Sequence, residues 1–401
     1  MSRIRLLSIR ASISKVIKGF ERSLETLNVI EVDRGRLLSN YDFLTDSATK
    51  AGSSAALFEG QERKEVWPVL KANAYGHGLQ VVASILKERK FAYLVVDSYF
   101  EALKVREVSK QPVLMMGYTL PSNFSKMDFR ALALVVYDLE SVRVLGQLGR
   151  KVNVHLKVNT GMNRQGVSPE ALPSMLTELT KYPSIELQGV CSHLADADNR
   201  DATFTRKQIG CFETALSIIK KKGFNPKFVH LNNTAGAAKV NVGNAVRAGI
   251  GLYGISPLLP TDPSNSKPSG LKPALKFIST LVAINELKSG ECVGYNCTFT
   301  AKTKMKTGVI PAGYYEGVGI RLSNKGQMEI NGKVVPIVGR VCMNMTMIDL
   351  SEVSAKVGDN VVVISEDLAA PNSVVSIAKQ CETMPYEILV HLAESTRRIP
   401  I

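Results

Sequence analysis

Short, almost wholly apolar runs recur from Trp67 onward, each followed by a polar turn and a helix-length segment. They are WPVLK (67–71), AYLVVD (92–97), PVLMMG (112–117), ALALVV (131–136), NVHLKV (153–158), ELQGVC (186–191), FVHL (228–231) and AVRAGI (245–250). Between them, segments such as GLQVVASILKERK and FETALSIIKKKG place apolar residues at the spacing of a helix that buries one face. Eight strand–helix units in roughly 200 residues predict an α/β fold, a (β/α)8 barrel of the TIM type rather than an open doubly wound sheet.

After Pro257 the pattern changes. PLLPTDPSNSKPSGLKP carries Pro260, Pro263, Pro268 and Pro273 with serines between them, which predicts a domain boundary. KFISTLVAI, TGVIPAG, QMEI, KVVPIVG and VGDNVVVIS then read as strands, with Asn331-Gly332 as a two-residue hairpin turn. SVVSIAKQCE and YEILVHLAES read as a short helical tail. The expected organisation is a basic N-terminal extension at 1–28, a barrel at 29–269 and a mostly β-strand C-terminal domain at 270–401.

Composition narrows the function. Apolar residues make up 45% and charged residues 21%, ordinary values for a globular protein. No apolar stretch reaches the ~18–20 residues of a membrane span, so no membrane role is expected. The net charge of +14 is high, but the basic residues are scattered and lack aromatic interleaving. They read as solubility and attraction for anionic ligands, not as a nucleic-acid surface. The six cysteines, Cys191, Cys211, Cys292, Cys297, Cys342 and Cys381, form no CxxC pair, so free thiols are expected and no metal site. Residues 1–28 are basic, with Arg3, Arg5, Arg10, Lys15 and Lys18 before the first acid at Glu21. They lack the apolar core of a secretory signal and read as an organellar leader or as a helix lying on the protein. The default compartment is the cytoplasm.

A barrel concentrates its chemistry at the C-terminal ends of its strands. The unusual polar residues fall there: Lys71, Lys157 with Arg164, His193, Asn233 with Thr234, and Arg247. The last two units supply NNTAG (232–236) and AGIGLYG (248–254), small residues through which backbone N–H groups can approach a phosphate. VLKANAYGHG (69–78) ends an apolar run on a lysine, which must be solvated, paired or chemically engaged.

At these residues the chain resembles the fold-type III pyridoxal phosphate (PLP) alanine racemases, along nearly its whole length from about Ile30. VLKANAYGHG looks like their PLP-lysine motif, KVNTGMNRQG (157–166) like a second signature, and SHLADAD (192–198) like their histidine turn. VRAGIGLYGISP, VGYNCTFTA, AGYYEG, VGRVCMNMTMIDL and MPYEIL follow in the family's order. The resemblance implies that Lys71 holds PLP and acts as the base on the D-side, with Tyr295 as the opposite base in a partner subunit's site. Tyr75 and Tyr386 would bind the phosphate, helped by Asn233, Thr234, Gly249 and Ile250. Arg164 would contact cofactor and substrate carboxylate, and the Met343 backbone would seat the substrate. His193 would orient Arg247 against the pyridine nitrogen, Tyr314 would narrow the entrance, and Lys157 would be N-carboxylated to hold Arg164. A homodimer with shared sites, an amino acid substrate and a supply of D-alanine for peptidoglycan complete the implied picture.

The reaction asks for such residues. Inverting Cα means removing a weakly acidic proton and replacing it from the opposite face, so two bases must flank one plane. A lysine amine whose pKa is lowered by cations and burial can serve one face, and a tyrosine the other. Arginine stays protonated, so Arg247 can donate to a pyridine nitrogen but cannot take its proton. That would limit long-lived carbanions and transamination. Asn344 stands where many family members carry Asp, which keeps a broader racemase of serine, lysine or arginine open. A non-catalytic PLP protein and a decarboxylase are further alternatives, both disfavoured by the ordered motifs. Thr234 replaces a commoner Ser and keeps the hydroxyl, and Arg321 reads as a solvated arginine.

Overall fold

The computed structural model describes residues 25–50, 64–258, 262 and 270–401, so most of the expected N-terminal extension lies outside the described residues. The chain divides into two compact units, one comprising Ile30–Lys276, Ile364–Glu394 and Arg398–Ile401, the other built on Phe277–Val363.

In the first unit, strand β1 (Val29–Val32) leads into helix α1 (Arg34–Lys50). The eight expected strands follow as β2 (Glu65–Pro68), β3 (Leu94–Val96), β4 (Val113–Met115), β5 (Leu132–Val136), β6 (Val152–Lys157), β7 (Ile185–Cys191), β8 (Phe228–His230) and β9 (Ala245–Ala248). Helices α2 (Leu79–Leu86), α3 (Tyr99–Arg106), α4 (Leu139–Gln147), α5 (Leu172–Leu179), α6 (Thr203–Lys221) and α7 (Thr234–Lys239) alternate with them. Every residue of β3, β4 and β5 is buried, as in parallel strands covered on both faces.

Strands β3 to β8 form one parallel sheet in chain order, and β2 pairs with β9 in a second parallel ladder. A bridge between Val69 and Val95 ties the end of β2 to β3, and the Arg247 N–H donates to the Asn232 carbonyl beyond β8 at 3.0 Å. The arrangement is therefore barrel-like, with a ladder continuous over six strands. Its interior is filled by aromatic rings. Trp67 lies 4.9 Å from His230, 5.0 Å from Phe228 and 5.9 Å from His155, measured between ring centroids. Gly189 makes room for this cluster, because a Cβ there would sit 2.4 Å from His155 Nδ1. Helices α8 (Val374–Gln380) and α9 (Pro385–Val390), the expected helical tail, belong to this unit, whereas the sequence pattern grouped them with the strands after 270.

The second unit is antiparallel. Strand β10 (Leu275–Thr280) crosses into it, and β11 (Ala283–Leu287), β14 (Met305–Ile310) and β17 (Thr346–Asp349) form one sheet. Strands β15 (Gln327–Ile330) and β16 (Lys333–Pro336) make the expected hairpin, with positive φ at both Asn331 (50°) and Gly332 (73°). β18 (Asn360–Ile364) joins β15 to β10, while β12 (Cys292–Val293) and β13 (Phe299–Thr300) form a small separate ribbon. Burial alternates along β10, β15 and β17, as in sheets with one face in a core.

Candidate active site

Lys71 follows β2 at the C-terminal side of the sheet and opens a left-handed turn. Ala72, Asn73, Ala74 and Tyr75 all have φ between 52° and 54°. Non-glycine residues pay about 1–2 kcal/mol each for that conformation, so the turn must be held from outside. The Ala72 N–H donates to Glu101 Oε1 at 2.7 Å, the Leu79 N–H to Asn73 Oδ1 at 2.8 Å, and the Gly78 N–H to the Asn73 carbonyl at 2.9 Å. Tyr75 then stacks on Tyr253 with ring centroids 5.0 Å apart, and the Tyr253 hydroxyl donates to the Val69 carbonyl.

Arg247 on β9 is buried, and both of its Nη atoms are engaged. Its Nη1 donates to the His230 carbonyl at 2.6 Å and approaches His230 Nδ1 at 2.7 Å. Its Nη2 donates to the carbonyls of Ser192 (2.7 Å) and Leu231 (3.0 Å) and lies 3.0 Å from His193 Nδ1. Arginine can only donate, so both imidazoles accept at Nδ1 and carry their protons on Nε2. His230 Nε2 lies 2.7 Å from His155 Nδ1, extending the chain by one more neutral imidazole. Burial, then the Arg247 charge, hold His193 and His230 well below the usual histidine range and His155 at about 3. Sequence reading found His193 and Arg247 and missed His155 and His230. The available signal was their place in NVHLKV and FVHL, polar residues inside apolar strands.

His77, buried beside Tyr253, is also lowered, to about 4, mainly by burial. Four of the five histidines thus stay neutral in the folded chain at pH values where unfolded histidines, near 6.5, take up protons. Above that pH neither state binds the proton and the effect vanishes. As the pH falls from about 6.5 toward 4, each buried histidine removes about 1.4 kcal/mol of unfolding free energy per pH unit. Urea midpoints at pH 7, 6 and 5 are expected to drop accordingly, and His77→Asn to lessen the slope by about one proton. Parallel slopes in the two proteins would contradict this.

A cavity of about 580 Å³ gathers Lys71, Tyr75, Lys157, Arg164, His193, Asn233, Thr234, Arg247, Gly249, Ile250 and Tyr386. Asn233 caps α7, its Oδ1 accepting from the Gly236 N–H at 2.8 Å, and Thr234 Oγ1 accepts from the Gly249 N–H at 3.1 Å. A Cβ at residue 249 would lie 2.7 Å from the Tyr75 hydroxyl, so only glycine leaves this cradle open. Burial raises the Tyr75 phenol far above its usual range and pushes Tyr386 up to about 12. Both are hydrogen-bond donors at neutral pH. Lys157, at the end of β6, donates from Nζ to Gln165 Oε1 at 2.8 Å. Burial first, then Arg247, Arg164 and Lys71, lower its pKa, which favours the neutral amine.

Tyr295, Tyr314 and Met343 do not line this cavity. They belong to the second unit, where all three are exposed, by 68%, 44% and 57%. The Tyr314 N–H donates to the Cys342 carbonyl and the Tyr315 N–H to the Met343 carbonyl, which brings two of the three segments side by side. Asn344 Nδ2 donates to Glu316 Oε1 at 2.7 Å, and the Gly313 N–H donates to the other carboxylate oxygen. An aspartate at 344 would instead meet that carboxylate with like charge. Arg321, in a short 3-10 turn, is not among the residues of either group.

The cavity suits PLP. It brings together a lysine amine, the hydroxyls of Tyr75, Thr234 and Tyr386 beside the Gly249 backbone, and a buried arginine that can donate to a heteroaromatic nitrogen. Arg164 adds positive charge for an anionic ligand. No group of three or more metal-ligating side chains occurs among the described residues. Fold and site together define a PLP-dependent enzyme with a barrel-like cofactor unit and a β-rich second unit.

Comparison with known proteins is more specific. Residues 55–257 match the alanine racemase N-terminal domain and residues 274–400 the alanine racemase C-terminal domain. Alanine racemase 2 of Caldanaerobacter subterraneus subsp. tengcongensis is 36% identical over 85% of this chain and 89% of its own length. The alanine racemase of Sorangium cellulosum is 35% identical over 85% and 92%. The crystal structure of alanine racemase from Bacillus anthracis with bound L-Ala-P superposes with a TM-score of 0.84 at 31% identity, covering 94% of this chain and 96% of that one. The chain belongs to the alanine racemase family. It is a PLP-dependent isomerase that interconverts L- and D-alanine.

Proposed function

We propose that racemisation runs by a two-base mechanism in sites shared between two copies of the chain. PLP, when bound, supplies an electron sink conjugated to the substrate Cα. Lys71 Nζ tethers the cofactor and takes or returns the Cα proton on one face. Tyr295 of the partner subunit performs the same transfer with its phenolic oxygen on the other. Tyr75, Thr234, Tyr386 and the backbone at Gly249 and Ile250 hold the phosphate, with Asn233 fixing the start of α7. Arg247, held by His193 and His230, donates to the ring nitrogen. Arg164 receives the substrate carboxylate, the Met343 backbone helps seat it, and Tyr314 narrows the entrance. N-carboxylation of the Lys157 amine by carbon dioxide, with release of a proton, would give Arg164 an anionic partner.

The observation that carries this reading is the convergence of eleven expected residues on one cavity, while Tyr295 stands 68% exposed in the other unit. Tyr295 shares a surface groove with exposed Met345, and Tyr314 and Met343 are exposed in the same unit, which suits a surface covered by a second chain. Eight parallel strands alternating with helices favour reading the first unit as a (β/α)8 barrel, although the hydrogen-bonded ladder is continuous only from β3 to β8. The proline-rich stretch before Leu271 favours a domain boundary near 269/270, with α8 and α9 returning to the first unit. Six free cysteines support a reducing cytoplasm, and D-alanine production supports a role in peptidoglycan supply. Light scattering during turnover tests the assembly: a dimer is expected, and a fully active monomer would contradict shared sites.

A broader substrate range is the second reading. It rests on Asn344, which is neutral and tied to Glu316 beside the Met343 backbone.

A further inference from the structure

We propose that Glu101, which does not line the cavity, is the positioning residue that holds Lys71 in place. The inference rests on the reading of Lys71 as the cofactor lysine. Glu101 sits in the first turn of α3, where its backbone N–H donates to Ser98 Oγ at 3.3 Å in a capping box. Its carboxylate does more than cap. One oxygen, Oε2, accepts from the N–H groups of Asp97 (2.8 Å) and Ser98 (3.3 Å), immediately after β3. The other, Oε1, accepts at 2.7 Å from the Ala72 N–H, the residue following Lys71.

A single carboxylate therefore joins the end of β3 and the start of α3 to the left-handed turn that begins at Lys71. That turn places four successive non-glycine residues at positive φ, a conformation that persists only where the surroundings hold it. The bond to Ala72 is the anchor nearest the lysine. It is charge-assisted, which makes it a stronger restraint than a neutral hydrogen bond. Only a carboxylate satisfies all three donors. A carboxamide has one oxygen and one NH2 group, so in either orientation it opposes an N–H with another N–H. Loss of the anchor lets the turn relax toward ordinary backbone angles and carries the Lys71 stem away from its place in the cavity.

The test compares full-length, PLP-loaded wild type with Glu101→Gln and Ser98→Ala. Ser98→Ala removes the side-chain half of the helix cap and leaves the Ala72 anchor. Hydrogen exchange of the 71–78 backbone, loss of PLP on dialysis, thermal midpoint, and kcat and KM for L-alanine are measured. Glu101→Gln is expected to speed exchange at 72–76 about tenfold and PLP loss about tenfold, with kcat down about tenfold and KM within about twofold. Ser98→Ala is expected to lower the thermal midpoint similarly while exchange at 72–76 and PLP loss stay within about twofold of wild type. Should Glu101→Gln not fold, Glu101→Asp keeps the charge at the helix start, is too short to span both anchors, and is expected to show the same exchange and PLP effects. Wild-type exchange and PLP retention in the Glu101 variant, or equal losses in Ser98→Ala, would overturn the proposal. If wild type fails to turn over alanine, the racemase reading falls, while the exchange contrast between the variants still decides the role of Glu101.

Discussion

Lys71→Ala is expected to lower racemisation by at least about 10⁴-fold, because one group serves as cofactor tether and as acid–base. General acid–base loss alone accounts for about 10²–10⁴ of this. The fold should survive. Lys71 is only partly buried, while the turn after it is held by backbone bonds and by the Glu101 and Asn73 side chains, none of which involves its ammonium group. Circular dichroism and the thermal midpoint should therefore match the parent protein. Borohydride treatment followed by mass spectrometry should find PLP fixed to Lys71 in the parent and to no residue in the variant. Covalent fixation elsewhere with retained activity would remove Lys71 from its assigned role.

Tyr295→Phe keeps the ring and removes the only exchangeable proton of that side chain. A loss of about 10²–10⁴-fold in racemisation is expected. The face served by Lys71 stays competent, so D-alanine should still exchange its Cα proton for deuterium without inversion. Sharing gives a sharper result. When Lys71→Ala and Tyr295→Phe chains are unfolded together and refolded, random pairing makes half of the dimers mixed, each with one intact site. About a quarter of parental activity should return. No recovery, with mixed dimers demonstrated, would mean that both bases come from one chain.

Much of the barrel-like unit is legible in the sequence because its strands are continuous apolar runs such as LALVV, with no solvent face to confuse the pattern. Lys71, Lys157, Arg164, His193 and Arg247 are legible as polar interruptions at strand ends. His155 and His230 are not, because a histidine inside a strand reads as an ordinary core residue until Arg247 is seen to donate to it. Glu101 is hidden for another reason. Its position in Ser98-Tyr-Phe-Glu101 announces a helix cap, and nothing local reveals that its second oxygen reaches 29 residues back to Ala72. Helices α8 and α9 follow the strand-rich stretch in sequence, so their place with the parallel strands depends on long-range packing alone.

The most direct test of the central claim is incubation of the PLP-loaded enzyme in deuterium oxide with L-alanine, L-serine, L-lysine, L-arginine and L-glutamate separately. Chiral chromatography with mass spectrometry then reads product hand and deuterium content together. Rapid formation of D-alanine carrying one Cα deuterium, with the other amino acids slow, is the predicted result. Comparable rates on serine, lysine or arginine would make Asn344 the mark of a broad racemase. Bound PLP without deuterium incorporation into any substrate would contradict the account.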